Sequence, residues 1–223
     1  MTYKNQAVYE NSIILGSYLA GLWEGDGHIT LQENNKPSFH INFNIKDAPV
    51  AEKLLNYITR HCPPASPPGS IRYQPEKTAC VLNIWSIEGL KFIVYLINGK
   101  CRMPKAYQIN IIIDWLNSKN NTTFAHADAR SADISEDAWF AGFIDSDGSF
   151  GVEHSEIRVA CRFRVAQRKH APISKKLYAS QSHAPGTYEF IMSTIASYLC
   201  VKLNVQTQKK SGRNYYLVSM ACA

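Results

Sequence analysis

Apolar and polar positions along the chain fall into alternating helical and extended patterns. Residues 13–26 read as a helix, followed by alternating segments that suit strands at 28–33 and 38–45. A second helix is predicted over 48–61, with Asp47 as its N-cap and Pro49 tolerated in its first turn. Residues 62–69, CPPASPPG, form a loop by composition. Strands at 70–74 and 78–85 and helices at 88–97 and 105–117 follow, then a polar stretch at 118–132 with the composition of a linker. Beyond it come a helix, strands at 149–153 and 157–167, a longer loop at 168–185, a helix near 188–203, and strands at 204–210 and 214–221. The order describes two α+β modules of helix-strand-strand-helix-strand-strand type, residues 1–120 and 135–223, joined by a linker at 121–134. The second shows no counterpart of the two helices that close the first.

The duplication is visible residue by residue. SYLAGLWEGDG at 17–27 returns 121 positions later as AWFAGFIDSDG at 138–148. On a helix, Ser17, Gly21 and Gly25 share one face, and Ala138, Gly142 and Ser146 share the equivalent one. Small residues at that spacing let two backbones approach closely. Either the two copies pack on each other across a pseudo-twofold axis, or each small face packs on its own sheet. The first arrangement brings Asp26 and Asp147 together at one end.

Composition narrows the classes. The 223 residues are 45% hydrophobic and 19% charged, which excludes a disordered tail protein, and no 18-residue apolar run exists to cross a membrane. No targeting segment is visible in the first dozen residues. The net charge of +6 is compatible with a nucleic-acid partner without requiring one. Residues 1–125 and 126–223 each hold 12 basic and 9 acidic side chains, half of the chain's 24 and 18, as duplication implies. Six cysteines (62, 80, 101, 161, 200, 222) form no C-x-x-C pair and sit mostly in apolar runs, so buried thiols are expected. The seven histidines form no cluster, which argues against a histidine-metal centre.

The duplicated helix carries the candidate chemistry. Carboxylates at a helix C-terminus face the partial negative charge of unpaired carbonyls. Gly27 and Gly148 stand where a left-handed residue would end each helix. Two carboxylates and several free carbonyls converging on one spot call for hard cations such as Mg²⁺, completed by water and substrate phosphates, and hence for metal-assisted phosphodiester chemistry. Neither copy continues with calcium-loop spacing. Trp23 and Trp139 read as core residues rather than base-stacking ones.

The segments LAGLWEGDG (19–27) and FAGFIDSDG (140–148) resemble the signature of the LAGLIDADG homing endonucleases, in the single-chain, two-motif arrangement. That resemblance spans nearly the whole chain. It implies a monomeric saddle of two pseudo-twofold-related, four-stranded antiparallel sheets with helices on one face, joined through the motif helices. It also implies that a long asymmetric DNA duplex is cut on both strands across the minor groove, leaving 3′ overhangs. By the same resemblance Asp26 and Asp147 bind metal, assisted by the carbonyls of Gly25 and Ser146. Mg²⁺ is the expected ion, with Mn²⁺ substituting and Ca²⁺ supporting binding without efficient cleavage. Glu24 stands where the motif has its first aspartate, a position usually structural. Asp47 and Gln167 match the peripheral polar residue that organises solvent, and Lys105 the lysine after the third helix, which has no match in the second half. An organelle origin, in the mitochondrion above all, is implied.

Strand alternation offers a DNA-reading surface independently. In RVACRFRV (158–165), Arg158, Arg162 and Arg164 share one face, suited to guanine edges and phosphates. His28, Thr30 and Gln32 share a face, as do Asn42 and Asn44, and Gln206, Gln208 and Lys210; Arg72 is a further candidate. Lys169, Lys175 and Lys176 in the longer loop are either phosphate contacts or plain surface charge. Two other functions remain open: an RNA-binding intron maturase, and a DNA-binding module without cleavage.

Overall fold

A computed structural model describes residues 3–63, 67–155, 158–170, 186–208 and 212–222. Helix α1 (Tyr3–Asp26) leads into strands β1 (Gly27–Leu31) and β2 (Pro37–Asn44), helix α2 (Ala48–His61), and strands β3 (Gly69–Gln74) and β4 (Ala79–Ile84). Helices α3 (Ile87–Ile97) and α4 (Tyr107–Asn120) follow, the latter entered through a single 3-10 turn, Pro104–Ala106. The second motif helix, α5 (Trp139–Asp147), opens the repeat: β5 (Gly148–Ser155), β6 (Arg158–Arg168), α6 (Glu189–Tyr198), β7 (Asn204–Thr207) and β8 (Asn214–Cys222). No described helix is long and apolar enough to cross a membrane.

Two antiparallel sheets of four strands result, ordered β1-β2-β4-β3 and β5-β6-β8-β7. Their registers match: Ile29 opposes Phe39 and Phe39 opposes Ile84, as Phe150 opposes Phe163 and Phe163 opposes Met220. Period-two alternation puts Ile29, Phe39, Ile41, Leu82 and Ile84 on the face covered by the helices, where all are buried. Helix α4 covers β1 and β2 there. The equivalent face of the second sheet has no such cover among the described residues, so Phe150 is 73% exposed where Ile29 is 3% exposed. The exposure of Cys161, predicted to be buried, has the same cause, and Cys200 is exposed as well, at positive φ just after α6. Cys62, Cys80 and Cys101 are buried free thiols.

The motif helices pack on each other. An ideal Cβ on Gly21 would lie 2.0 Å from the Trp139 carbonyl oxygen, and one on Gly142 would lie 1.9 Å from that of Tyr18. Only backbones in direct contact leave so little room, so the small faces meet across the pseudo-twofold rather than on their own sheets. Ser17 is buried in the same seam.

Several local expectations need correction. Helix α1 starts ten residues before the predicted 13, with no proline or glycine to stop it, and α6 ends at Tyr198 rather than near 203. Gly27 and Gly148 are not left-handed caps: Gly148 has φ −75° and ψ 148°, and neither glycine is among those with positive φ. They begin strands, and glycine is needed for space, since a Cβ on Gly27 would strike the Trp23 ring at 2.0 Å. Asp47 precedes α2 but makes no side-chain cap bond, because a 3-10 turn, Ile45–Asp47, already orients its backbone. Lys105 lies in the 3-10 turn before α4, not in the helix. Lys175, Lys176 and Lys210 lie outside the described residues.

Candidate active site at the paired helix ends

Helices α1 and α5 end at Asp26 and Asp147, each followed directly by a strand. The Asp147 carboxylate lies over the backbone of α1: an ideal Cβ on Gly25 would be 3.2 Å from Asp147 Oδ2 and would overlap the Ser146 hydroxyl at 1.9 Å. Ser146 turns that hydroxyl back to the carbonyls of Phe143 (2.9 Å) and Gly142 (3.3 Å). Gln167 donates its amide N–H to Asp147 Oδ2. Asn42 donates to the Asp26 carbonyl at 3.0 Å. Lys105 Nζ donates to the Gly27 carbonyl at 2.7 Å and reaches that of Gly25 at 3.5 Å, 5.0 Å from the centre of the Trp23 ring.

The electrostatics follow from that crowding. Burial, then the charge of Asp147, push the Asp26 carboxyl up to about 6, against the pull of Lys105. Burial raises Asp147 too, opposed by Lys105 and the Gln167 bond. Lys105 is pushed down by burial, while Glu24, Asp147, Cys101 and Asp26 pull it back up. Two carboxylates and helix-end carbonyls against the Lys105 ammonium leave negative charge unmatched among the described residues. Among the described residues no three or more His, Cys, Asp or Glu side chains converge. The donor set is oxygen only, and it fits a hard divalent cation that keeps water and phosphate in its shell better than zinc.

Other candidates are placed differently. Gln167 and Asp47 are not counterparts. Gln167 opposes Tyr216 in β8 as Phe43 opposes Cys80 in β4, so the positional match of Gln167 is Phe43. Asp47 is exposed, and its charge acts on Tyr18. The Tyr18 hydroxyl donates to Asp145 at 2.8 Å, and Trp139 Nε1 donates to Glu24 at 2.7 Å. These bonds are related by the duplication, since Tyr18 matches Trp139 and Glu24 matches Asp145. Both aromatics thus serve the helix interface, and Trp23 and Trp139 are fully buried.

The sheet faces opposite the helices are polar. On the first, His28, Thr30, Asn42, Asn44 and Arg72 are joined by Ser38, His40, Ser70 and Asn83, which are not among the candidates named above although Ser38, His40, Asn42 and Asn44 alternate in one strand. His28 stacks on His40 with centroids 4.8 Å apart, and Thr30 Oγ1 bonds His40 Nε2 at 2.8 Å. Burial lowers both histidines, His40 to about 4, so this stack is neutral above mildly acidic pH. Gln32 lies past β1 and donates to Ser38. On the second sheet Arg162 pairs with Glu153 at 2.7 Å and Arg164 donates to Gln206 at 2.6 Å. Arg158 opens β6, and Gln208 is exposed beyond β7.

No protein-family model matches the chain. Among solved structures, the LAGLIDADG meganuclease I-AabMI bound to uncleaved DNA aligns with TM-score 0.57 at 16% identity, covering 91% of this chain and 78% of that one. The LAGLIDADG homing endonuclease I-GzeII in complex with its DNA target aligns with TM-score 0.56 at 16% identity, covering 92% and 78%. I-SmaMI, bound to uncleaved DNA in the presence of calcium ions, aligns with TM-score 0.51 at 16% identity, covering 92% and 79%. The fold is therefore that of the LAGLIDADG homing endonucleases of single-chain, two-motif type. The intron-encoded DNA endonuclease aI3 of Saccharomyces cerevisiae is 28% identical over 211 residues, 85% of this chain and 48% of that protein. An uncharacterised cox1 intron-2 protein of Schizosaccharomyces pombe is 28% identical over 170 residues, 74% and 49%. The S. cerevisiae intron-encoded RNA maturase bI4 is 28% identical over 157 residues, 70% and 22%. The chain spans about half the length of the first two relatives.

Proposed function

We propose that the chain is a site-specific, intron-homing DNA endonuclease that binds a long asymmetric duplex as a monomer and hydrolyses one phosphodiester in each strand. The observation that carries this reading is the meeting of Asp26 and Asp147 at paired helix ends, between two polar sheet faces. In it, residues 1–120 and 135–223 each serve one half-site. The duplex lies across the faces that carry His28, Thr30, Asn42, Asn44 and Arg72 on one side and Arg162, Arg164 and Gln206 on the other. Asp26 and Asp147 would hold Mg²⁺ with the carbonyls of Gly25 and Ser146, and the ion would supply charge stabilisation for the departing oxygen and an acidified water. Gln167 keeps the Asp147 carboxylate aimed, and Lys105 holds positive charge beside the Gly25 and Gly27 carbonyls. An organelle intron, and the mitochondrion as compartment, fit the intron-encoded names of the relatives.

The test is incubation with Mg²⁺ and a randomised library of long duplexes, followed by sequencing of the cut ends. One recurrent site cut on both strands with 3′ overhangs supports the reading. The match to the bI4 maturase makes RNA binding the second reading. Uncut DNA together with tight binding to folded intron RNA would favour it.

A further inference from the structure

Glu24 is 3% exposed and accepts three hydrogen bonds. The Arg102 backbone N–H reaches Oε2 at 2.8 Å, the Met103 N–H reaches Oε1 at 2.7 Å, and Trp139 Nε1 reaches Oε2 at 2.7 Å. The two amides lie 78 and 79 residues away in sequence, immediately before the 3-10 turn that carries Lys105. The Arg102 side chain in turn holds the segment before α5, through the carbonyls of Ala132 and Asp133 and the Asp137 carboxylate. Glu24 is therefore the joint between α1, the lysine turn and α5.

Its counterpart behaves differently. Asp145, one methylene shorter, takes the Tyr18 hydroxyl and no backbone amide of a turn among the described residues. The cross-helix bond to an aromatic is common to both motifs, whereas the clamp on a lysine-bearing turn belongs to the first. A residue that only tied the helices together would need the Trp139 bond alone. The two amide bonds are what the longer side chain adds, and Lys105 is the side chain they place.

We infer that Glu24 is the positioning residue for Lys105: by clamping the amides of Arg102 and Met103 it fixes the turn from which the lysine reaches the Gly27 and Gly25 carbonyls. The inference rests on the endonuclease reading for its consequence in catalysis, but its geometry is testable without DNA. Acylation of the metal-free protein, read lysine by lysine by mass spectrometry, should label Lys105 at least about 10-fold more slowly than the exposed Lys53 and Lys77. Glu24→Gln should bring Lys105 within about threefold of them and leave theirs unchanged. Trp139→Phe, which removes the indole N–H together with the five-membered ring but leaves both amide bonds to Glu24 in place, should leave Lys105 slow. Should Glu24→Gln fail to fold, Glu24→Asp, which keeps the charge but cannot reach both amides, should expose Lys105 in the same way. Unchanged labelling of Lys105, or faster labelling of every lysine alike, would overturn the assignment.

Cleavage adds a second readout. If Glu24 acts through Lys105, the Glu24→Gln/Lys105→Met double variant should cut at the rate of Lys105→Met alone. Losses that multiply would show an independent structural role and overturn the inference. Wild-type protein that cuts no duplex would instead sink the endonuclease reading, and the labelling result would still decide the role of Glu24.

Discussion

Gly21→Ala tests whether the two motif helices must touch for the centre to form. The added Cβ would sit 2.0 Å from the Trp139 carbonyl oxygen, 2.8 Å from the Phe143 nitrogen and 3.0 Å from the Trp139 carbonyl carbon. These neighbours are backbone, so no side chain can swing away. Normal contact distance requires the helices to part by on the order of 1 Å. Overpacking of this kind costs about 1–3 kcal/mol. The same displacement stretches the buried bond from Trp139 to the Glu24 carboxylate, a charge-assisted contact worth about 1.5–3 kcal/mol. Alanine's better helix propensity returns about 1 kcal/mol. The net expectation is a loss of about 2–4 kcal/mol, read as a lower urea midpoint. Cleavage should fall about 100-fold even in the folded fraction, because a 1 Å misplacement of Asp26 from Asp147 is enough to spoil the geometry. Gly151→Ala is the control: nothing lies within 4 Å of its Cβ, and stability should hold or rise slightly. Equal midpoints and equal cutting rates for the two variants would refute the close-contact argument.

Three further outcomes are expected. Asp26 titrates near pH 6 in the metal-free protein, so Mg²⁺ must displace a proton at acidic pH; by calorimetry its affinity should climb as the pH rises through about 6 and level off above. The raised value also means that the stability tied to protonated Asp26 is present below about pH 4 and lost as the pH passes 6, so Asp26→Asn should flatten that part of the metal-free profile. Because Glu153 neutralises Arg162, Glu153→Gln should tighten DNA binding while Arg162→Ala weakens it by about 1–3 kcal/mol and relaxes specificity at one base pair; equal affinities would remove Arg162 from the interface. Binding should also weaken steeply with salt as counterions are released, and a flat dependence would contradict the duplex-spanning faces.

The duplicated helices and the succession of strands and helices along the chain were legible because they rest on local periodicity and on one 11-residue repeat; the order of the strands within each sheet was not. The pairing of the helices was legible too, since Gly21 and Gly142 advertise close approach. What escaped depends on distance in sequence. Glu24 reads from sequence only as a structural variant of an aspartate, because its partners, Arg102 and Met103, lie 78 and 79 residues away. The pairing of Asp47 with Gln167 failed because strand register, not spacing from the motif, decides which side chain reaches an aspartate. His40 is legible by a simpler rule, since alternation alone places it on the face of Asn42, and register sets it opposite His28. Gly27 and Gly148 show a residue type correctly tied to a helix end for the wrong cause, space rather than handedness. The exposure of Cys161 reflects the lack of a covering element among the described residues, and no strand pattern encodes such cover.

The central claim is that Asp26 and Asp147 jointly hold the cation that serves the scissile phosphates, and Asp147→Asn tests it most directly. The change removes charge and keeps size, and the Gln167 amide retains an oxygen partner at that position. DNA affinity, measured without divalent metal, should be unchanged or tighter because one carboxylate no longer repels the phosphates. Single-turnover cleavage in Mg²⁺ should fall by at least about three orders of magnitude. If the aspartates only end their helices, Asp147→Asn will cut both strands at the wild-type rate, and that result would contradict the account.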